Sequence, residues 1–158
     1  AILSSKINKR LGLLRRIRHL LPHSARLLFY NCFVLPLFDY GDLVWGDKDN
    51  IVLMESLQIL QNKAAKIILD RSPLSSASDA LNTLGWRKLA VRRCYHRCVH
   101  IFKCLNGLCT STLNLKSFRE THNYNTRNKN KLRLPKVKRN WSKQSLVYHA
   151  VKDWKAIM

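Results

Sequence analysis

Apolar residues recur along this chain at helical spacing rather than in alternation. Ile7, Leu11, Leu14, Ile17 and Leu21 fall on one arc and Lys6, Lys9 and Arg16 on the opposite one, which predicts an amphipathic helix over about residues 4–20. Residues 27–38 are apolar nearly all round, the pattern of a buried helix, and Pro36 is expected to kink or end it. Residues 51–69 repeat the helical period with Leu53, Leu57, Leu60, Ala64 and Ile67 inward. A Ser-rich loop containing Pro73 follows, after which Ser76 or Ser78 is placed to cap a short helix ending near Gly85.

The clearest amphipathic pattern covers residues 86–106. Ala90, Val91, Cys94, Tyr95, Cys98, Ile101, Phe102 and Leu105 share one arc, and Lys88, Arg92, Arg93, His96, Arg97, His100 and Lys103 share the other. The first arc is expected to face the core and the second to face solvent, with Gly107 ending the helix. From 110 to 140 the period dissolves into Asn, Thr, Lys and Arg, which reads as loop or extended chain, and a last helix begins near Ser142 with Val147, Ala150, Val151 and Trp154 on one side. The expected fold is all-α: about five helices with a basic, partly irregular C-terminal arm. Its organisation reads as a helical domain over 1–109, an arm over 110–140, and a helix over 141–158 packing on the domain.

Charge changes this picture from a fold to a class of partner. The 158 residues carry 29 Lys and Arg against 9 Asp and Glu, a formal net charge of +20. Self-repulsion of that size is relieved most simply by a polyanion, because neutralised phosphates release counterions. The distribution sharpens the point: residues 27–57 hold five acids and one base, while residues 1–26 hold seven bases and no acid, and residues 121–158 ten bases and one acid. Tyr124, Trp141 and Tyr148 interleave with the last basic segment, and cations for phosphate beside aromatics for stacking suit single strands and RNA-containing duplexes. A basic amphipathic helix also suits an anionic membrane surface, a use that competes with the core for the same apolar face.

Residues 27–38 are too short an apolar run to cross a bilayer, and the basic N-terminal segment does not read as a signal peptide. Five cysteines, an odd number without a disulfide-framework spacing, fit a reducing intracellular location, nuclear or cytoplasmic, rather than a secreted one.

Two further patterns suggest chemistry. Asp39 and Asp42, three apart in the acidic island, could serve a metal-dependent nuclease, but nucleotidyl transfer needs convergent carboxylates and no adjacent acid pair or phosphate-cradling Gly-rich loop accompanies them. The island reads instead as a structural bend at Pro36, Tyr40, Gly41 and Trp45, with Tyr40 and Trp45 packed inward. Cys94 and Cys98, with His96, His100, Cys104 and Cys109 nearby, suggest a zinc knuckle. On a helix, however, Cys94 and Cys98 lie about 160–200° from His96 and His100, so one ion cannot take all four. No metal and no catalytic residue is therefore expected, and no cofactor. The hypothesised phosphate contacts are Lys6, Lys9, Arg10 and Arg16 on the first helix, Arg92, Arg93, Arg97 and Lys103 on the long helix, and Arg127, Lys129, Lys131, Arg133, Lys136, Lys138 and Arg139 in the arm.

An ordered set of short motifs carries a resemblance. Leu35-Pro36 with Tyr40-Gly41 and Trp45-Gly46 comes first, then Leu57 with Gln61-Asn62-Lys63-Ala64, then Leu84-Gly85-Trp86 with Leu89 and Arg92-Arg93, then Tyr124-Asn125-Thr126-Arg127, and last Trp154. Taken together the chain resembles the C-terminal, thumb and post-thumb region of non-LTR (LINE, jockey-like) retrotransposon reverse transcriptases, over nearly its whole length. Lys155 stands where that family commonly has Asn. The resemblance implies a helical thumb that grips a template-primer duplex or element RNA. It also implies a catalytic palm and fingers elsewhere in the same polyprotein as partner, with magnesium confined to that palm, so that this portion of an RNA-directed DNA polymerase does not polymerise by itself. A structural or protein-interaction helical module of a transposon-derived protein is the alternative.

Overall fold

The computed structural model describes residues 2–45, 50–109, 113, 115–120, 124 and 127–157. The fold is all-α, with no strand among the described residues. It comprises two compact units, Ala1–Asp42 with Asn50–Arg92, and Leu43–Asp49 with Arg93–Met158.

In the first unit, α1 (Ile2–Ile17) buries Ile7, Leu11 and Leu14, three of the five positions its period predicts. It packs on α5 (Ile51–Ile68), whose Leu57, Leu60, Ala64 and Ile67 are buried as expected. Asn50 caps α5 by accepting the Leu53 amide at 3.0 Å, and the Arg26 guanidinium donates to the Ile68 carbonyl at 2.8 Å, placing a cation at the negative end of the helix. Ser76 caps α6 (Ala77–Thr83), accepting the Asp79 amide at 3.3 Å. Gln58 of α5 accepts the Leu89 amide at 2.9 Å, satisfying the first exposed donor of α7 (Leu89–Leu105).

The helix through residues 27–38 departs from expectation in two respects. α2 (His23–Phe29) runs through a π-helical turn, Tyr30–Val34, directly into α3 (Leu35–Asp39), so Pro36 does not end it. The physical reason is register. In the π turn the Leu35 amide donates to the carbonyl five residues back, on Tyr30, which shifts the ladder just before the residue that has no N–H to give. Nor is this helix buried all round. Tyr30, Val34 and Phe38, spaced by four, enter the core, and Tyr30 stacks on Trp86 with centroids 4.1 Å apart, whereas Leu28 and Phe33 lie exposed. Residues His23–Val44 are long and apolar enough to cross a membrane by length and composition. The chain turns within that stretch at Tyr40-Gly41, where Gly41 adopts φ +63°, and α4 (Asp42–Trp45) follows. The bend is therefore made by Gly41. Tyr40 is 84% exposed rather than packed inward, and the Trp45 side chain lies outside the described residues.

In the second unit, α7 is joined by a 3-10 turn, Asn140–Gln144, and α8 (Leu146–Ile157). Ile101, Ala150 and Val151 form the core, with Val147 and Trp154 packed against it. Two stretches of the segment between α7 and α8 pair at one bridge: Ser117 bridges Leu132, the Arg133 amide donates to the Lys116 carbonyl at 2.7 Å, and the Phe118 amide to the Lys131 carbonyl at 3.1 Å. Leu132 is buried in the core and Leu115 and Leu134 pack on it, so apolar residues pin the basic arm to the unit.

The long helix is rotated away from its apparent amphipathicity, so that only part of the expected inward arc, Cys98 and Ile101, is buried. Leu89, Arg93, Arg97 and Ile101, each four apart and so on one face, are buried, as is Cys98. Val91, Tyr95, Phe102 and Leu105, expected inward, are about half exposed. Arg97 is 4% exposed because Asp153 of α8 is buried with it: Arg97 Nε and Nη2 both reach Asp153 Oδ2, at 2.7 and 2.6 Å.

Candidate nucleic-acid interface

The expected phosphate contacts divide by environment. Lys6, Lys9 and Arg16 are exposed on α1, as their arc requires, and Lys103 is exposed on α7. Arg10 is half-buried, and its guanidinium donates to the Phe33 carbonyl. Arg92 forms a fork with Asp39, Nε to Oδ1 at 2.8 Å and Nη2 to Oδ2 at 2.7 Å, a hydrogen bond that raises the arginine's pKa further and occupies both oxygens of an acid the nuclease reading needs. Arg93 and Arg97 are buried, and the solvent face that periodicity assigned to them is not where they lie. Burying a guanidinium is tolerable only with its charge paired, and for Arg97 the carboxylate of Asp153 does this. The island's second acid, Asp42, is also buried.

A different set of cations converges in the first unit. Arg15 and Arg18, at the C-terminal end of α1 and just beyond it, meet Lys63 and Lys66 of α5 and Arg71 of the following loop around a cavity of about 300 Å³, with Asn62 also in its wall. Local sequence builds it. Lys63 and Lys66 are three apart and project from one side of α5, next to the stripe that packs on α1, and Arg15 sits one residue beyond buried Leu14. Three of the five cations have local partners: Arg18 pairs with Asp70 at 3.0 Å, Arg71 with Asp79, and Lys66 donates to the Pro73 carbonyl at 2.7 Å. Arg15 and Lys63 are exposed, with no ion-pair partner among the described residues. Two acids set among five bases leave the cavity positive, and its two unpaired heads are a ready pair of donors for an anion.

Sequence reading missed all five. Residues 58–85 carry three bases against two acids and look nearly neutral by count. The signal that could have found them is spacing: the acids Asp70 and Asp79 fall in or after the loop, whereas both lysines share one edge of α5.

The second unit has its own basic hollow, of about 410 Å³, lined by Lys116, Arg133 and Lys136 with Leu134 and Pro135. Of the expected contacts, Arg133 and Lys136 line this hollow, while Arg127, Lys131, Lys138 and Arg139 are exposed elsewhere on the arm and Lys129 is half-buried. Tyr124 is 80% exposed and Tyr148 half-buried, and the Trp141 side chain lies outside the described residues.

The thiols are of two kinds. Burial pushes Cys98 up to about 11, and the neighbouring Cys94 adds to this, so Cys98 is a neutral core thiol at ordinary pH. Cys104 and Cys109 lie half-buried at the far end of α7, near His100. Comparison of the chain with protein families, with curated proteins and with solved structures finds no match.

Proposed function

We propose that the chain binds the phosphate backbone of nucleic acid, as the helical thumb and C-terminal portion of a retrotransposon RNA-directed DNA polymerase. The observation that carries the binding is the cavity of Arg15, Arg18, Lys63, Lys66 and Arg71, a cluster of positive charge in which Arg15 and Lys63 have no ion-pair partner among the described residues. Donors of this kind read phosphate and carry no sequence information, which suits a grip on a duplex that must slide as it is copied. The arm adds a second contact through Lys116, Arg133 and Lys136. The polymerase assignment rests on the ordered motifs from Leu35-Pro36 to Trp154, and the palm and fingers of the same polyprotein are the partner they imply.

The test is a salt titration of binding to labelled RNA-DNA hybrid, single-stranded RNA and duplex DNA. A log-log slope of about −4 or steeper is expected, with Arg15→Ala and Lys63→Ala each weakening all three ligands alike and flattening the slope by about one. Binding that is absent or flat in salt removes the proposal. One observation favours a second reading, a protein-interaction module: Tyr95, Phe102 and Leu105 leave an apolar stripe of α7 exposed. That reading predicts partner binding insensitive to salt and abolished by Phe102→Ser.

A further inference from the structure

We propose that His100, Cys104 and Cys109 form a binding site for one zinc ion. The three side chains offer His nitrogen and two thiol sulfurs that all lie within 4.8 Å of one another, and Cys104 Sγ is 3.8 Å from His100 Nε2. Tetrahedral zinc, with Zn–S of about 2.3 Å and Zn–N of about 2.0 Å, has edges of about 3.5 Å between nitrogen and sulfur and about 3.8 Å between sulfurs. The His100–Cys104 separation lies within about 0.3 Å of such an edge, and the other pairs need to close by about 1.3 Å at most, within reach of side-chain torsion.

The backbone explains how the set assembles. His100 and Cys104 are four apart on α7 and so share a face. Gly107 takes φ +66°, the left-handed conformation that ends the helix, with the Gly107 amide donating to the Cys104 carbonyl at 3.3 Å and the Leu108 amide to the Lys103 carbonyl at 2.8 Å. This reversal carries the chain back along the helix end and delivers Cys109 to the same face. Spacing on a straight helix excludes the set Cys94, Cys98, His96 and His100, but it says nothing about a ligand supplied from beyond a helix cap.

Two thiolates and an imidazole are borderline-soft donors that select zinc over magnesium or calcium, so this is not a displaced polymerase metal site. All three ligands are half-buried, open enough for an ion to enter. With three protein ligands the fourth position is left to water. The ion would displace the thiol protons on binding and tie the end of α7 to the first residues after it.

The experiment uses the purified chain, reduced and then freed of reductant, titrated with cobalt(II) as a spectroscopic stand-in for zinc. One equivalent is expected to give tetrahedral ligand-field bands and a near-ultraviolet thiolate-to-cobalt absorption, both bleached by one equivalent of zinc. Cys104→Ser, Cys109→Ser and His100→Ala should each weaken binding by at least about tenfold, whereas Cys94→Ser should leave it unchanged. Spectra that survive Cys104→Ser and Cys109→Ser, or that vanish in Cys94→Ser, overturn the site. Should the variants fail to fold, as judged by far-ultraviolet circular dichroism without metal, alkylation of the native chain decides. Zinc must protect Cys104 and Cys109 more than Cys32. Equal labelling with and without zinc overturns the proposal, as does a Cys104–Cys109 disulfide that resists labelling until reductant is added.

Discussion

The helices α1 and α7 have the same kind of sequence and different outcomes. Each carries an apolar arc and a basic arc. In α1 the apolar arc goes inward, with Ile7, Leu11 and Leu14 buried and Lys6, Lys9 and Arg16 exposed. In α7 the buried stripe is Leu89, Arg93, Arg97 and Ile101, and the aromatic residues Tyr95 and Phe102 remain at the surface. The difference lies in what the helix is packed against. α1 meets the apolar stripe of α5, whereas α7 meets Asp153 on the inner side of α8, and a buried carboxylate makes a buried guanidinium tolerable.

The sharpest way to break that comparison is to remove the acid. Asp153→Ala leaves Arg97 buried without its carboxylate and should cost about 3–5 kcal/mol in urea denaturation, whereas Tyr95→Ser, at the exposed arc, should stay within about 0.5 kcal/mol. The pair Asp153→Leu with Arg97→Met should recover most of the loss, since a packed apolar pair does as well as a buried ion pair. If Asp153→Ala is mild and Tyr95→Ser severe, α7 faces the way its periodicity suggested.

The next effect is smaller and reads the buried side of α7 by pH. Cys98 has a folded-state value raised from 9.0 to about 11, chiefly by burial. A thiol harder to ionise when folded lets the unfolded chain lose its proton first, so stability is complete below pH 9 and declines as pH rises towards 11. Tyr30 is also raised by burial, but its decline begins only above its ordinary value of 10.0. Between pH 9 and 10 the loss from Cys98 therefore leads that from Tyr30. Denaturation midpoints of the native chain should fall over that interval, and those of Cys98→Ala should fall less. A Cys98→Ala profile that falls equally would place the thiol in water.

How much of this was legible in the sequence follows from the same contrast. Periodicity located α1, α5 and α8 and their inward residues, because Leu, Ile and Ala report burial by themselves, and Ser76 and Gly107 marked the start of α6 and the end of α7 by backbone chemistry. It misjudged the facing of α7 because an arginine's burial depends on a partner 56 residues away, which no local period contains. The one clue was Asp153, the lone acid of residues 121–158, three residues after buried Ala150. Pro36 did not end the helix, since its missing donor was accommodated upstream by the π turn rather than at the proline. For the candidate site, segment charge pointed to the arm and passed over Lys63 and Lys66, which join the cavity only because α5 lies beside α1.

The smallest prediction tests the α1 side of the comparison, where the outward arc must be free of packing for the reading to hold. Gly12 lies on that arc within α1, and a Cβ added there meets nothing within 4 Å. Gly12→Ala should therefore stabilise the chain by about 0.5–1 kcal/mol, because alanine loses less backbone freedom on entering a helix. The same substitution at Gly107 also meets no atom, yet φ there is +66°, and it should cost about 1 kcal/mol from conformation alone. Opposite signs in paired urea titrations identify backbone as the cause, since space is equal at both sites. A loss at Gly12 would mean that something packs on the outward face of α1, and then Lys9 and Arg16, its neighbours on that face, would no longer be available to phosphate.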